Sequence, residues 1–360
     1  MVLAGGCADS DPAPRPSPIE PLRIEVTQPH AILSVPDSLR LSATLLRGDA
    51  IVARAGFAWS SSDPAVVEVD TAGTVHARAA GFAFVRAALS GTVADAGIGV
   101  DVHILAGAGD IADCDRADDE ATAALLDRIP GTVFTAGDNA YPDGTLEQYR
   151  TCYDPTWGRH KARTRPTSGN HDTPADYYTY FGPSAGNPGE GYYSYDLGAW
   201  HIVALNSNIP VDPGSAQERW LRQDLAANPR TCTLLYWHHP RFSSGTVASS
   251  TRLQPLWQVL SDADADVVVT GHSHTYERFA PLGDDGTLEP LEGTRQFVVG
   301  TGGGQAMDAF ATIEANSEVR NNDTRGVLVL ILYPARYEWR FLPAGGAGGT
   351  FSDVGSGDCH

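Results

Sequence analysis

The sequence predicts an α/β chain in two parts: a small all-β sandwich over residues 22–102, then a larger layered α/β domain over residues 103–360. Three observations carry this. Residues 22–102 run in short alternating segments broken by turn residues about every eight to twelve positions, the pattern of a small sandwich. From His103 onward, apolar segments running into loops alternate with amphipathic stretches of helical spacing, the pattern of helices layered on sheets. Finally, 42% hydrophobic against 19% charged residues over 360 positions supply core for more than one ordinary domain.

Residues 1–21 read as a tether, with prolines at positions 12, 14, 16 and 18 favouring an extended chain. The small residues before Cys7 resemble the tail of a bacterial lipoprotein signal, but the charged segment and the apolar run of about 7–15 residues that a full signal needs are missing. Either the chain begins further upstream or the likeness is chance. Within residues 22–102 the alternating runs are Ile24–Val26, Leu39–Leu41, Val66–Val69 and Thr74–Ala77, and Trp59 is expected to plug the core. In the second domain the predicted strands are Ile104–Ala106, Val133–Ala136, Trp200–Asn206, Thr233–Trp237, Val267–Thr270 and Phe297–Val299. The predicted helices are Asp119–Arg128, Leu146–Tyr149, Ala216–Ala227 and Leu253–Ser261, and Gly326–Tyr333 with Tyr337–Leu342 reads as a hairpin.

Lys+Arg number 25 against 44 Asp+Glu, a net charge of −19. Such a surface repels phosphate backbones, which disfavours a nucleic-acid partner, although local cations can reverse the field at one site. No apolar run approaches the roughly 18–20 residues of a membrane helix. Besides Cys7, the cysteines are Cys114, Cys152, Cys232 and Cys359; an even number without CxxC spacing fits disulfides better than a zinc site. Of the three pairings, Cys114–Cys152 with Cys232–Cys359 is favoured, because the first two flank the rim of the same candidate site. Together with Cys7, a possible lipid anchor, this predicts an exported bacterial protein that is periplasmic, extracellular or lipid-anchored in the cell envelope.

Nearly every potential metal ligand follows a predicted strand, at the edge where open α/β sheets bind ligands. In chain order these are Gly109-Asp110, Gly137-Asp138-Asn139-Ala140-Tyr141, Gly169-Asn170-His171-Asp172, His238-His239-Pro240 and Gly271-His272-Ser273-His274-Thr275-Tyr276-Glu277-Arg278. Singly each is weak, since Gly-Asp usually marks a turn. Together, carboxylates, an amide oxygen, a phenol and three imidazoles form a hard-to-borderline donor set suited to Fe, Mn or Zn. Glycine at the strand exits lets the backbone turn so that the following side chain can enter a shared crevice.

This series resembles the calcineurin-like metallophosphoesterases, and within them the purple acid phosphatase branch, from roughly Ile104 to the C-terminus. The wider superfamily opens with Asp-x-His; Asp110-Ile111-Ala112 lacks that histidine, and Tyr141 stands where the purple branch places a tyrosine. Residues Ala58–Asp70, Gly73–Ala77 and Ala80-Gly81 resemble the bacterial Ig-like group 2 module, a usual spacer. The fold implied is a two-sheet αββα metallophosphoesterase sandwich behind a small Ig-like sandwich. The resemblance also implies a dinuclear centre. Asp110, Tyr141 and His274 would hold Fe(III); Asn170, His238 and His272 would hold Fe(II), Zn(II) or Mn(II); Asp138 would bridge. His238 is preferred to His239 because His-x-Pro matches the family pattern, with His239 left as an exchanged ligand or a substrate-facing group.

The activity implied is hydrolysis of small phosphate monoesters, with a metal-bound hydroxide as nucleophile. His171 is assigned to phosphate contact and leaving-group protonation, and Asp172 to orienting that imidazole. Histidines that plant members carry after His-x-Pro are absent from Arg241–Val247, leaving His239 and Arg241 beside His171 as substrate-binding candidates. Thr301–Gly304 could offer backbone N–H groups. Tyr177, Tyr178, Tyr180, Tyr192, Tyr193 and Tyr195 either wall the crevice or pack in a loop, and His201 reads as a packed strand residue. The rival activity is a phosphodiesterase or nucleotidase with the same centre. The rival from another class is a non-catalytic surface adhesion or stalk module.

Overall fold

A computed structural model describes residues 20–247, 249–345 and 349–360; Cys7 and most of the 1–21 tether lie outside the described residues. The N-terminal part is built from three small sheets of three, four and three strands. Its longest strands, Gly81–Leu89 and Thr92–Val100, pair antiparallel, and His30–Leu33 joins the second of them in parallel. Val67, Val75, Val85, Ile98 and Val100 fill the core, and Trp59 packs against its edge half-buried. Phe82 instead enters the core of the following domain, which ties the module to its neighbour by packing as well as by the chain.

The second domain holds two sheets face to face. A six-stranded sheet runs in the order Thr164–Thr167, Thr132–Ala136, His103–Ala108, Gly326–Leu332, Arg336–Pro343, Asp353–Asp358. A seven-stranded sheet runs Tyr193–Leu197, Trp200–Ala204, Cys232–Tyr236, Val267–Thr270, Thr294–Val299, Tyr276–Leu282, Ser317–Asn321. The central strands of the second sheet read as unbroken apolar runs because both faces are buried. Period-2 alternation separates the two faces. Ile202, Leu234, Val267 and Phe297 point into the core between the sheets. Val203, Leu235, Val268 and Val298 point the other way, onto Leu221 of helix Ala216–Ala227 and Trp257 of helix Gln254–Asp262.

The predicted strands and helices fall within these elements with ends shifted by a few residues, except at Leu146. The helix there spans only Leu146–Gln148 and passes into a wider π turn over Tyr149–Tyr153. Two disulfides, Cys114–Cys152 and Cys232–Cys359, are present, matching the favoured pairing. Among the described residues no helix is long and apolar enough to cross a membrane.

His201, buried in strand Trp200–Ala204, is clamped by Asp196 at 2.9 Å on Nδ1 and by Asp224 at 2.7 Å on Nε2. Burial opposes its charge, but the two carboxylates prevail and raise its pKa above 6.5. The folded-state pKa is therefore the higher one, so this contribution to stability is full below about pH 6.5 and is lost as pH rises through the folded value. We expect the melting temperature of the wild type to exceed that of His201→Gln most at mildly acidic pH, with the gap closing toward alkaline pH. A gap independent of pH would remove the charge argument.

Candidate metal centre

The C-terminal ends of the parallel strands meet at one edge, and the side chains that follow them converge. His103–Ala108 leads to Asp110, Thr132–Ala136 to Asp138, Thr164–Thr167 to Asn170, Cys232–Tyr236 to His238, and Val267–Thr270 to His272. Three of these residues turn through left-handed backbone: Asp110 (φ 61), Asp138 (φ 49) and His272 (φ 67). Side chains rarely adopt this conformation, and such outliers gather at functional sites. The glycines before these residues and before Asn170 leave no room for a side chain. A Cβ on Gly137 would lie 2.5 Å from Nδ1 of His238, and one on Gly169 would collide with the Asp138 carboxylate.

Two groups of donor atoms result. In the first, the Tyr141 hydroxyl lies 2.8 Å from Asp110 Oδ1, 3.0 Å from Asp138 Oδ2 and 3.3 Å from His274 Nε2; His274 Nε2 is 3.3 Å from Asp110 Oδ1. In the second, His238 Nε2 lies 3.0 Å from Asn170 Oδ1, 3.1 Å from His272 Nδ1 and 3.2 Å from Asp138 Oδ2. One atom, Asp138 Oδ2, belongs to both.

The surroundings aim these atoms. His238 Nδ1 donates to the Ala136 carbonyl at 2.8 Å and His274 Nδ1 to the Ala306 carbonyl at 3.1 Å. Carbonyls only accept, so each Nε2 carries the lone pair that a metal takes, the usual arrangement behind metal-binding histidines. Asp110 Oδ2 accepts from the His272 N–H and Asp138 Oδ1 from the His171 N–H, both at 2.8 Å, leaving the other oxygen of each for the donor groups.

The electrostatics fit cations. Asp110 and Asp138 are buried, and no lysine or arginine bonds either one among the described residues. Burial followed by the charges of these two carboxylates pushes the Tyr141 phenol far above its ordinary pKa, so it ionises only with a cation beside it. Burial would lower the His238 pKa, but Asp138 overrides it and pulls the imidazole up to about 9; a proton there takes the position of a metal. His272 is held down to about 4 by burial and by His238. Without a shared cation these two nitrogens cannot both face each other as lone pairs.

Residues 101–276 match the family model for the calcineurin-like phosphoesterase. The chain carries a calcineurin-like phosphoesterase domain. Residues 23–97 match the bacterial Ig-like domain, group 2, so the phosphoesterase domain stands behind an Ig-like one. Purple acid phosphatase 23 of Arabidopsis thaliana is 29% identical over 188 residues, 46% of this chain and 40% of that protein. An uncharacterized protein of Mycobacterium tuberculosis is 27% identical over 236 residues, 51% and 44% of the two chains. The chain spans less than half the length of these curated relatives. In fold, the purple acid phosphatase of yellow lupin seeds is similar at a TM-score of 0.58 and 16% identity, over 93% of this chain and 69% of that one. The anchor of the Plasmodium inner membrane complex is similar at 0.56 and 14%, over 70% and 88%.

Around the donors of the phosphoesterase domain, some side chains do other work than the sequence suggests. Asp172 does not orient His171. Its carboxylate turns inward and accepts from the Asn139 amide, the Gly169 N–H and the Tyr149 hydroxyl, the last at 2.6 Å, while His171 Nδ1 donates to the Pro142 carbonyl at 2.6 Å. Asp172 thus braces the loops carrying Asp138 and Asn170. Arg241 does not face the donors either: its guanidinium lies over the Phe242 ring and donates to the Asp284 carbonyl at 3.5 Å. Two of the three glycines of Thr301–Gly304 spend their N–H groups on the phosphoesterase domain itself. Gly302 and Gly304 donate at 2.9 Å to the carbonyls of Gly109 and Asp110, bracing Asp110.

His239 lies beside the second group, its ring centre 4.3 Å from that of His272 and its Nδ1 2.8 Å from the Ser207 hydroxyl. Burial first, then His238 and His272, lower its pKa to about 2, so it is neutral. Asp308 had no signal in the motifs; it lies 34 residues beyond His274 and accepts from that residue's N–H at 2.9 Å. Arg252 was equally silent and holds the Ser207–Ile209 loop through the carbonyls of both residues.

Proposed function

We propose that this chain hydrolyses small phosphate monoesters at a dinuclear metal centre on Asp110, Asp138, Tyr141, Asn170, His238, His272 and His274. In this reading an Ig-like module over residues 22–102 precedes a hydrolase domain over residues 103–360. The observation that carries the reading is the single oxygen, Asp138 Oδ2, common to both donor groups. The first group, with a phenol and a carboxylate, suits Fe(III); the second, with an amide and two imidazoles, suits Fe(II), Zn(II) or Mn(II). When bound, such a pair supplies Lewis acidity toward a phosphoryl group and toward water. The chain's own contribution is placement. His171, with Nδ1–H fixed on Pro142, keeps Nε2 free for phosphate contact. To protonate the leaving oxygen it first takes a proton at Nε2 from solvent or from a protonated substrate phosphoryl group, and gives that proton up as the imidazolium. Asp172 acts as a positioning residue, and neutral His239 offers Nε2 to the substrate. The disulfides support an exported protein.

The test is metal content measured together with turnover of 4-nitrophenyl phosphate and bis(4-nitrophenyl) phosphate. We expect two metals per chain, iron among them, and a preference for the monoester; a large preference for the diester would replace this reading with the phosphodiesterase one. Protein with neither metal nor turnover would favour a non-catalytic module. Tyr141→Phe should lose the visible tyrosinate-to-iron band and about 10- to 100-fold in activity while keeping its circular dichroism. Retained colour would remove Tyr141 from the centre.

A further inference from the structure

We infer that the cleft beside Asn170 receives the leaving group and selects flat, uncharged ring systems, aryl or nucleoside, over polyanionic groups; this rests on the phosphatase reading above. The cleft has a volume of about 360 Å³, at the small end of ligand pockets, enough for one ring system with a sugar. Asn170 belongs to both places. It lines the cleft, and its Oδ1 stands 3.0 Å from His238 Nε2 among the donors. A phosphoryl group at the donors therefore sits next to whatever fills the cleft.

The walls state the chemistry. Pro174, Tyr178 and Ile209 present flat or apolar surface, which favours a ring by stacking and burial. Asn206 and Asn208 supply the polar part. The Asn208 amide nitrogen donates at 3.2 Å to the carbonyls of Ser168 and Gly169, which fixes which way the amide faces. Its Oδ1 has no partner among the described residues and can accept one hydrogen bond from a ring N–H or a hydroxyl. Charge excludes the alternative. Among the described residues no lysine or arginine lines the cleft, and nearby Arg252 is turned onto the carbonyls of Ser207 and Ile209. Buried Asp172 is among its lining residues, in a chain of net charge −19. A nucleoside triphosphate or a polyphosphorylated sugar would bring extra negative charge with nothing to compensate it.

The experiment compares kcat/KM for 4-nitrophenyl phosphate, adenosine 5′-monophosphate, glycerol 3-phosphate and adenosine 5′-triphosphate in metal-loaded wild type, Tyr178→Ala and Asn208→Arg. The wild type should prefer the first two substrates over the last two by about tenfold or more. Tyr178→Ala should cut the ratio of nitrophenyl to glycerol ester turnover about tenfold, and Tyr178→Phe should restore it. Asn208→Arg should shift the monophosphate-to-triphosphate ratio toward the triphosphate. Equal treatment of all four esters by the wild type, or equal losses on all of them in Tyr178→Ala, overturns the cleft assignment and leaves the phosphatase reading standing. A wild type that turns over none of the four removes both.

Discussion

Asp138→Asn is expected to lose activity by about 10²- to 10³-fold or more, the scale of removing one preorganised charged group from a site of this kind, and to retain at most one metal per chain. The substitution keeps the volume but removes the charge and one of two oxygens. Both oxygens are committed in the wild type, Oδ1 to the His171 N–H and Oδ2 to the two donor groups, so no rotation of the amide can serve both. His238 supplies an independent readout. Burial works against ionisation of Asp138, but the His238 charge holds its carboxyl well below the usual range; with an amide in its place, the elevation of His238 should collapse, visible by NMR in metal-free protein. The gain in melting temperature on adding metal should also shrink, because stabilisation by a ligand follows its affinity for the folded state. A variant that binds two metals and keeps its activity would refute the shared-oxygen geometry.

The donor residues were legible because their signal is local. Asp110, Asp138, His238 and His272 each come after an apolar buried strand, and a glycine stands before Asp110, Asp138, Asn170 and His272, so those strand ends and side chains could be read together. Asn170 follows Thr164–Thr167, whose Thr-Arg-Pro-Thr carries no apolar run. The strand Tyr276–Leu282 was not legible as a strand, since it opens on Tyr-Glu-Arg. Its polarity is satisfied only in three dimensions: Glu277 accepts from Ser244 and Ser317, and Arg278 pairs with Asp353 at 2.7 Å. The outer strand Asp353–Asp358 is rich in glycine and serine and carries no apolar pattern.

Asp172 shows where neighbour-based reading fails. Adjacency to His171 suggested a carboxylate–imidazole pair, but the side chains that claim the carboxylate, those of Asn139 and Tyr149, lie 33 and 23 residues away, beside the local Gly169 N–H. A buried carboxylate goes to the donors that satisfy it best, and sequence distance carries no information about them. Arg241 fails for a related reason: an arginine near a phosphate site suggests a grip, whereas the Phe242 ring and the Asp284 carbonyl hold this one elsewhere.

Removing the Cys232–Cys359 disulfide, as the double serine variant, should lower stability by about 4–5 kcal/mol on the chain-entropy scale while leaving turnover at 25 °C within about twofold. The bond closes a separation of 127 residues, and in the entropic picture the longer loop constrains the unfolded chain more. It also links the sheets, because Cys232 opens a strand of the seven-stranded sheet and Cys359 follows the last strand of the six-stranded one. Around it Asp266 accepts from the N–H groups of Thr233 at 2.7 Å and His360 at 3.0 Å, so the chain end is held by more than sulfur and the native fold should survive. Function should survive because of direction along the strand. Cys232 lies at the start of the strand whose far end leads to His238, six residues or roughly 20 Å away. Cys114–Cys152 is the internal control. It closes only 38 residues, for about 4 kcal/mol, but Cys114 follows Asp110 by four positions, and Asp113 beside it bonds Gln305 at 3.0 Å. Breaking that disulfide should depress kcat/KM as well as the melting temperature. Equal kinetic losses from the two removals would mean that the pole opposite the donors is coupled to them, and that the sheet between the two poles does not act as a rigid spacer.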